Sequence, residues 1–123
     1  MPGTDPITTS VSRRNGVALL AVRGEVDVAT VGALETAISA ALTDGPDALV
    51  IDLTDVDFLA SAGLQVLVAT QERIGGSADF AVVADGPATS RPIQLTGLDQ
   101  ILSLHPTVAE ALAALQKGAQ PPN

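Results

Sequence analysis

Cysteine is absent from this 123-residue chain, which excludes a disulfide framework, a thiol nucleophile and any cysteine-ligated zinc site. Tryptophan and tyrosine are also absent and phenylalanine occurs only twice, so nucleic-acid bases have no stacking platform. The core must then come from Val, Leu, Ile and Ala, and the 46% hydrophobic content is enough to build one domain from them. Basic residues are scarce. Six Lys and Arg against fourteen Asp and Glu give a formal net charge of −8, which repels phosphate backbones and anionic headgroups. Direct binding to nucleic acid or to a membrane surface is therefore disfavoured, and a partner with a basic face fits better. No apolar run nears the ~20 residues that span a bilayer, and MPGTDPITTS has neither the basic nor the apolar region of a secretory signal. A cytoplasmic protein is expected.

What is present alternates strand-like and helix-like stretches. Ile7 to Ser12 and Val17 to Val22 flank Asn15-Gly16, the pair that favours a tight β-hairpin turn. Asp27 is placed to cap a helix whose apolar residues Val31, Leu34, Ile38 and Leu42 recur at three or four residue spacing before Asp44-Gly45-Pro46. Ala48 to Leu53 reads as a buried strand, and Leu64, Leu67, Val68 and Ile74 as a helix closed by Gly75-Gly76. Phe80 to Ala84 repeats the strand signature, Ala88 to Leu95 is a weaker helix, and Ile101 to Leu104 a last short strand. Thr107 and Glu110 then form a capping box for a helix over Val108 to Leu115, ended by Gly118. Residues 1–6 and 118–123 are expected to be flexible around one domain at 7–117. The order β-β-α-β-α-β-α-β-α predicts an α/β fold: a mixed, mostly parallel sheet with an N-terminal hairpin and about four helices. In such a sheet, functional loops leave the carboxyl ends of the parallel strands, which singles out Gly24 to Ala29, Ala60 to Ala62 and Asp85 to Ala88.

Within those loops, DFLASAGL sets one hydroxyl, Ser61, between two alanines where strand gives way to helix. Three roles compete for it. As a helix N-cap, Ser61 would stabilise the fold by about 0.5–2 kcal/mol and do nothing more. As a nucleophile it would need a base and an acid; His105 with Asp85 or Asp99 follow in suitable order, yet Leu59 stands where a nucleophile elbow requires Gly. As an acceptor of phosphate it gains from the small side chains of Ala60, Ala62 and Gly63, which let a kinase approach, and from the helix N-terminus, which tolerates a dianion. Asp52, Asp55 and Asp57 lack both neighbouring His or Cys and the spacing of a calcium loop, so no metal site is expected. Gly75-Gly76 has no phosphate-loop lysine, and no cofactor is expected.

The segment ALVIDLTDVDFLASAGLQVL, Ala48 to Leu67, resembles the signature of STAS domains, in which a strand and an acidic turn lead into a D-S-S/T-G-like helix start. Gly24-Glu25-Val26-Asp27 is similar to the G-E-L-D element of that family. Ser90-Arg91-Pro92 through Thr96-Gly97-Leu98 resembles its later helix and S/T-G-L turn. The likeness is closest to the small bacterial anti-sigma factor antagonists, particularly the mycobacterial type of the sigma-F pathway. It implies a protein without catalytic activity that, unphosphorylated, binds an anti-sigma factor and frees a sigma factor for transcription in a stress response. It further implies phosphorylation at Ser61 by a serine kinase related to the histidine-kinase ATPase fold, often the anti-sigma factor itself, and reversal by a PP2C-type phosphatase. The partner-contact residues carried over are Glu25, Asp27, Val28, Ala60, Ser61, Ala62, Gly63 and Gln65, with the exposed face of the helix up to Arg73. Two departures are visible: Ala60 replaces a common Asp, and Ala62 replaces a common second Ser or Thr. The first alters what a kinase would recognise; the second leaves one acceptor hydroxyl. The rival implication is an accessory STAS subunit of a lipid or anion transporter.

Overall fold

The computed structural model describes residues 6–119, with side chains described through residue 115; of the segments expected to be flexible, residues 1–5 and 120–123 lie outside that range. Strands β1 (Ile7–Arg14) and β2 (Val17–Val26) form the antiparallel hairpin. Its turn has positive φ at both Asn15 and Gly16, +53° and +82°, the backbone that this dipeptide adopts at least cost. Helix α1 (Val31–Leu42) leads to β3 (Ala48–Leu59), α2 (Ser61–Ile74) and β4 (Asp79–Val83). After α3 (Ser90–Leu95) and a 3₁₀ turn at Leu98–Gln100 come β5 (Leu104–His105) and α4 (Val108–Ala119). The sheet order is β1-β2-β3-β4-β5, and every pairing after the hairpin is parallel.

Side-chain alternation splits the core into two layers. Leu20, Val22, Leu49, Ile51, Leu53, Phe80 and Val82 face α1, α2 and α3, where they meet Leu34, Ile38, Leu64, Leu67 and Ile93. On the opposite face Val50, Ala81 and Val83 pack against Ala111 of α4. The middle strands are buried on both sides, which explains why β3 and β4 read as unbroken aliphatic runs. Arg13 reaches across from β1 to the open end of α1. Its guanidinium donates to the carbonyls of Ala41 and Ala40 at 3.1 and 3.2 Å and meets Asp44 at 3.4 Å, satisfying helix carbonyls that have no partner in the helix itself.

Four local expectations are corrected. The first residue of α1 is preceded by Thr30, not Asp27, at the cap position; Asp27 acts one turn earlier. Strand β3 does not stop at Leu53 but continues through the acidic stretch to Leu59. The last strand lies at Leu104–His105, because Leu98–Gln100 coils and Leu102 turns into the core. Helix α4 passes through Gly118 to Ala119: a glycine in a terminal turn costs about 1 kcal/mol, too little to end a helix by itself.

Truncating Leu20, fully buried on β2, to Ala is expected to lower unfolding free energy by about 2–5 kcal/mol. The same truncation at Val11, on the edge strand and 39% exposed, should cost under about 0.5 kcal/mol. Urea denaturation of the two variants checks the contrast.

Candidate functional site

Strand β4 pairs with β3 only from Ala48 to Asp52, whereas β2 follows β3 on to Leu59. The end of β2–β3 is therefore a ribbon that runs past β4 and β5 by about 20 Å at ~3.3 Å per residue, flanked on its β2 side by β1 as far as Gly24. Along it Leu53, Val56 and Leu59 are all buried, a spacing of three that fits neither strand nor helix. Two register shifts against β2 explain it, each adding one residue to β3 and turning the next apolar side chain back toward the helices. Asp52 steadies the first of these: its Oδ1 accepts from Thr54 N at 3.0 Å and Thr54 Oγ1 at 2.8 Å.

At the ribbon's tip the chain turns into α2. Ala60 N–H donates to Val26 carbonyl oxygen at 2.8 Å, locking the end of β3 to the end of β2. Ala60, in extended conformation, holds the cap position, and its methyl group cannot accept a hydrogen bond from the helix. Ser61 is the first helical residue rather than the cap, so the capping role fails. Its hydroxyl is exposed and has no hydrogen-bond partner among the described residues. No acidic residue occupies the first turn, which leaves the positive end of α2 unneutralised. Around Ser61 the exposed and half-exposed positions of α2, namely Ala62, Gln65, Val68, Ala69 and Gln71, are uncharged up to Glu72. Gly63 faces inward: a β-carbon there would come within 2.6 Å of both Leu59 Cδ1 and Val26 Cγ1. The helix can lie this close to β2 only because that position has no side chain.

The neighbouring loop is organised by Asp27. Its Oδ1 accepts from Ala29 N at 2.9 Å and Thr30 N at 3.1 Å. Buried Thr30 completes the turn, its hydroxyl donating to Glu25 carbonyl oxygen at 2.8 Å and accepting from Asp27 N at 2.9 Å. With the base of the loop fixed in this way, Val28 projects outward and is 83% exposed.

Residues 8–111 match the STAS domain family. The chain belongs to that family. It is 49% identical to the anti-sigma-F factor antagonist RsfB of Mycobacterium tuberculosis over 118 residues, which cover 96% of this chain and 97% of the relative. The crystal structure of an anti-sigma factor antagonist from Mycobacterium paratuberculosis superposes with a TM-score of 0.88 at 51% identity, covering 94% of this chain and 99% of that one. The Bacillus cell fate determinant SpoIIAA in its phosphorylated form shares the fold, with a TM-score of 0.64 at 16% identity over 87% and 98% of the two chains.

Within this STAS domain the Ala60–Val26 hydrogen bond sets the end of β2, which carries Glu25 and leads into Asp27 and Val28, beside the start of α2, which carries Ser61, Ala62 and Gln65. Gly63 is buried beneath them and serves packing instead of presenting surface. His105 does not join Ser61; its Nε2 lies 2.8 Å from Ser103 Oγ on the β5 edge, so the hydrolase arrangement is not assembled. Among the described residues no group of three or more His, Asp or Glu is placed to hold a metal ion, and no helix is long and apolar enough to cross a membrane. One exposed residue was not singled out from the sequence: Phe58, which is 53% exposed.

Substitutions at two positions test these contacts. Gly63→Ala should destabilise by about 1–3 kcal/mol through its clash with Val26 and Leu59, despite alanine's better helix propensity. Asp27→Ala should cost about 0.5–2 kcal/mol by leaving the loop amides unpaired, while Asp27→Asn retains an accepting oxygen and most of the stability. Thermal melting of the three variants is the check.

Proposed function

We propose that this protein is an anti-sigma factor antagonist: unmodified, it binds an anti-sigma factor at the Ser61 end of the ribbon and so frees a sigma factor, and phosphate on Ser61 ends the binding. The observation that carries this reading is the Ser61 hydroxyl itself, exposed, unbonded and set at the uncapped positive end of a long helix. The names of the mycobacterial relatives, both anti-sigma-F factor antagonists at 49% and 28% identity, support the choice of partner over a transporter subunit. SpoIIAA, which has the same fold, exists in a phosphorylated form. The role is regulatory and non-enzymatic, and is exercised in the cytoplasm, where sigma factors act.

The switch follows from charge and size. Ala60 and Ala62 leave a low, uncharged surface on either side of Ser61, which a partner can cover with little desolvation. A phosphate there adds about −1.5 to −2 charge and a bulky group that a closely fitted partner cannot accommodate. Leaving that dianion buried and unpaired costs several kcal/mol, and about 3 kcal/mol is already a loss of more than a hundredfold in affinity. The fold is spared, because the phosphate sits against free amides at a helix N-terminus. A serine kinase of the histidine-kinase ATPase fold, in the simplest arrangement the anti-sigma factor itself, would add the group, and a PP2C-type phosphatase would remove it. Ala60, in place of an aspartate, offers that kinase no carboxylate beside the acceptor.

Ser61→Glu should lose at least about a hundredfold in affinity for the anti-sigma factor while its melting temperature stays near wild type. Ser61→Ala should bind normally and gain no mass on incubation with the kinase and ATP, as intact-mass spectrometry will read. Equal binding by Ser61→Glu and wild type would refute the switch.

A further inference from the structure

We infer that Phe58 is the principal anchor for the anti-sigma factor, which receives it in an apolar socket rimmed by lysine or arginine; this inference rests on the antagonist reading above. The chain has two phenylalanines. Phe80 is buried in the core, but Phe58 is 53% exposed and belongs to neither hydrophobic cluster. Its orientation is built in. The second register shift on β3 turns Leu59 inward with its β2 neighbour Val26, and so turns Phe58 outward beside its own β2 neighbour, Glu25. Without that shift, alternation from buried Val56 would bury Phe58 and expose Leu59.

Among the described residues the side chain of Phe58 is left half exposed. Helix α4 packs on β3, β4 and β5, and β4 has already ended opposite Asp52. An exposed aromatic held in place by a bulge is the composition of an interface hot spot, where a few large rigid side chains carry most of the binding energy. Val28, in the adjoining loop, adds a second exposed apolar side chain.

The charges nearby specify the partner's chemistry. Glu25, Asp55 and Asp57 are exposed on this part of the ribbon, with Arg23 the basic residue among them. An apolar socket with a basic rim complements such a surface and would draw the two proteins together faster at low ionic strength. The acidic ring and the uncharged patch at Ser61 occupy different parts of the same tip. A partner that grips the tip therefore meets attraction beside Phe58 and a bare, closely fitted contact at Ser61, where a phosphate has no countercharge.

The test is calorimetric titration of the anti-sigma-F factor of the same cell into three forms of the antagonist: wild type, Phe58→Ala, and a Glu25→Gln/Asp57→Asn double variant. Phe58→Ala should bind about thirtyfold more weakly with unchanged circular dichroism and melting. Wild-type affinity should fall as salt is raised, and the double variant should show a flatter salt dependence. Binding by Phe58→Ala within about twofold of wild type, or a wild-type affinity indifferent to salt, would overturn the anchor while leaving the antagonist reading intact. A wild-type chain that binds no anti-sigma factor would overturn both.

Discussion

The pairing of β2 with β3 beyond the end of β4 is the constraint on which the rest depends. It is closed at its tip by one backbone hydrogen bond, from Ala60 to Val26, and by the contact of Gly63 with Val26 and Leu59. Those interactions fix where α2 begins and hold the β2–α1 loop beside it. The surface proposed to meet a partner stands on this ribbon and on the helix start it positions: the hydroxyl of Ser61, the uncharged start of α2, Val28, and the outward ring of Phe58. The core below it, two aliphatic layers either side of the sheet, supplies rigidity and no chemistry.

A consequence is that the two ends of the molecule are built for different tasks. The hairpin end is fastened for stability, with Arg13 closing the last turn of α1. Among the described residues the ribbon end leaves groups unsatisfied: the helix has no side-chain cap, the serine hydroxyl no hydrogen bond, and the phenylalanine is half exposed. A domain of this size can leave a helix start uncapped, at a cost of about 1 kcal/mol, because burial elsewhere dominates its stability. The unused capacity is what a phosphate or a second protein would take up.

Much of this architecture is legible in the chain. Asn15-Gly16 specifies the hairpin, the aliphatic runs of β3 and β4 announce strands buried on both faces, and half of the capping box forms: Glu110 N–H donates to Thr107 Oγ1 at 3.1 Å, while the Glu110 carboxylate accepts from the Thr107 hydroxyl at 3.3 Å. The site is legible only in part. Ser61 stands out by its place between strand and helix, but its freedom from capping depends on where β3 stops, and the strand hides that by burying Leu53, Val56 and Leu59 at a spacing of three. Bulges leave no mark in composition. The same two register shifts concealed the length of β3 and the exposure of Phe58, since a lone aromatic among aliphatics reads as core until the phase of the strand is known. Asp27 was recognisable as a capping residue; that it serves a turn ahead of α1, with Thr30 at the helix cap, follows from hydrogen bonds that no spacing encodes.

The proposed switch requires that a phosphate on Ser61 change what can dock and leave the scaffold as it was. Amide proton–nitrogen NMR spectra of the unmodified and the stoichiometrically Ser61-phosphorylated protein test that claim most directly, each recorded alone and with the anti-sigma factor. The prediction is shifts confined to the β2–α1 loop and the first turns of α2, with line broadening by the anti-sigma factor in the unmodified sample alone. Shifts spread through β4 and α4, or equal broadening of both samples, would contradict it.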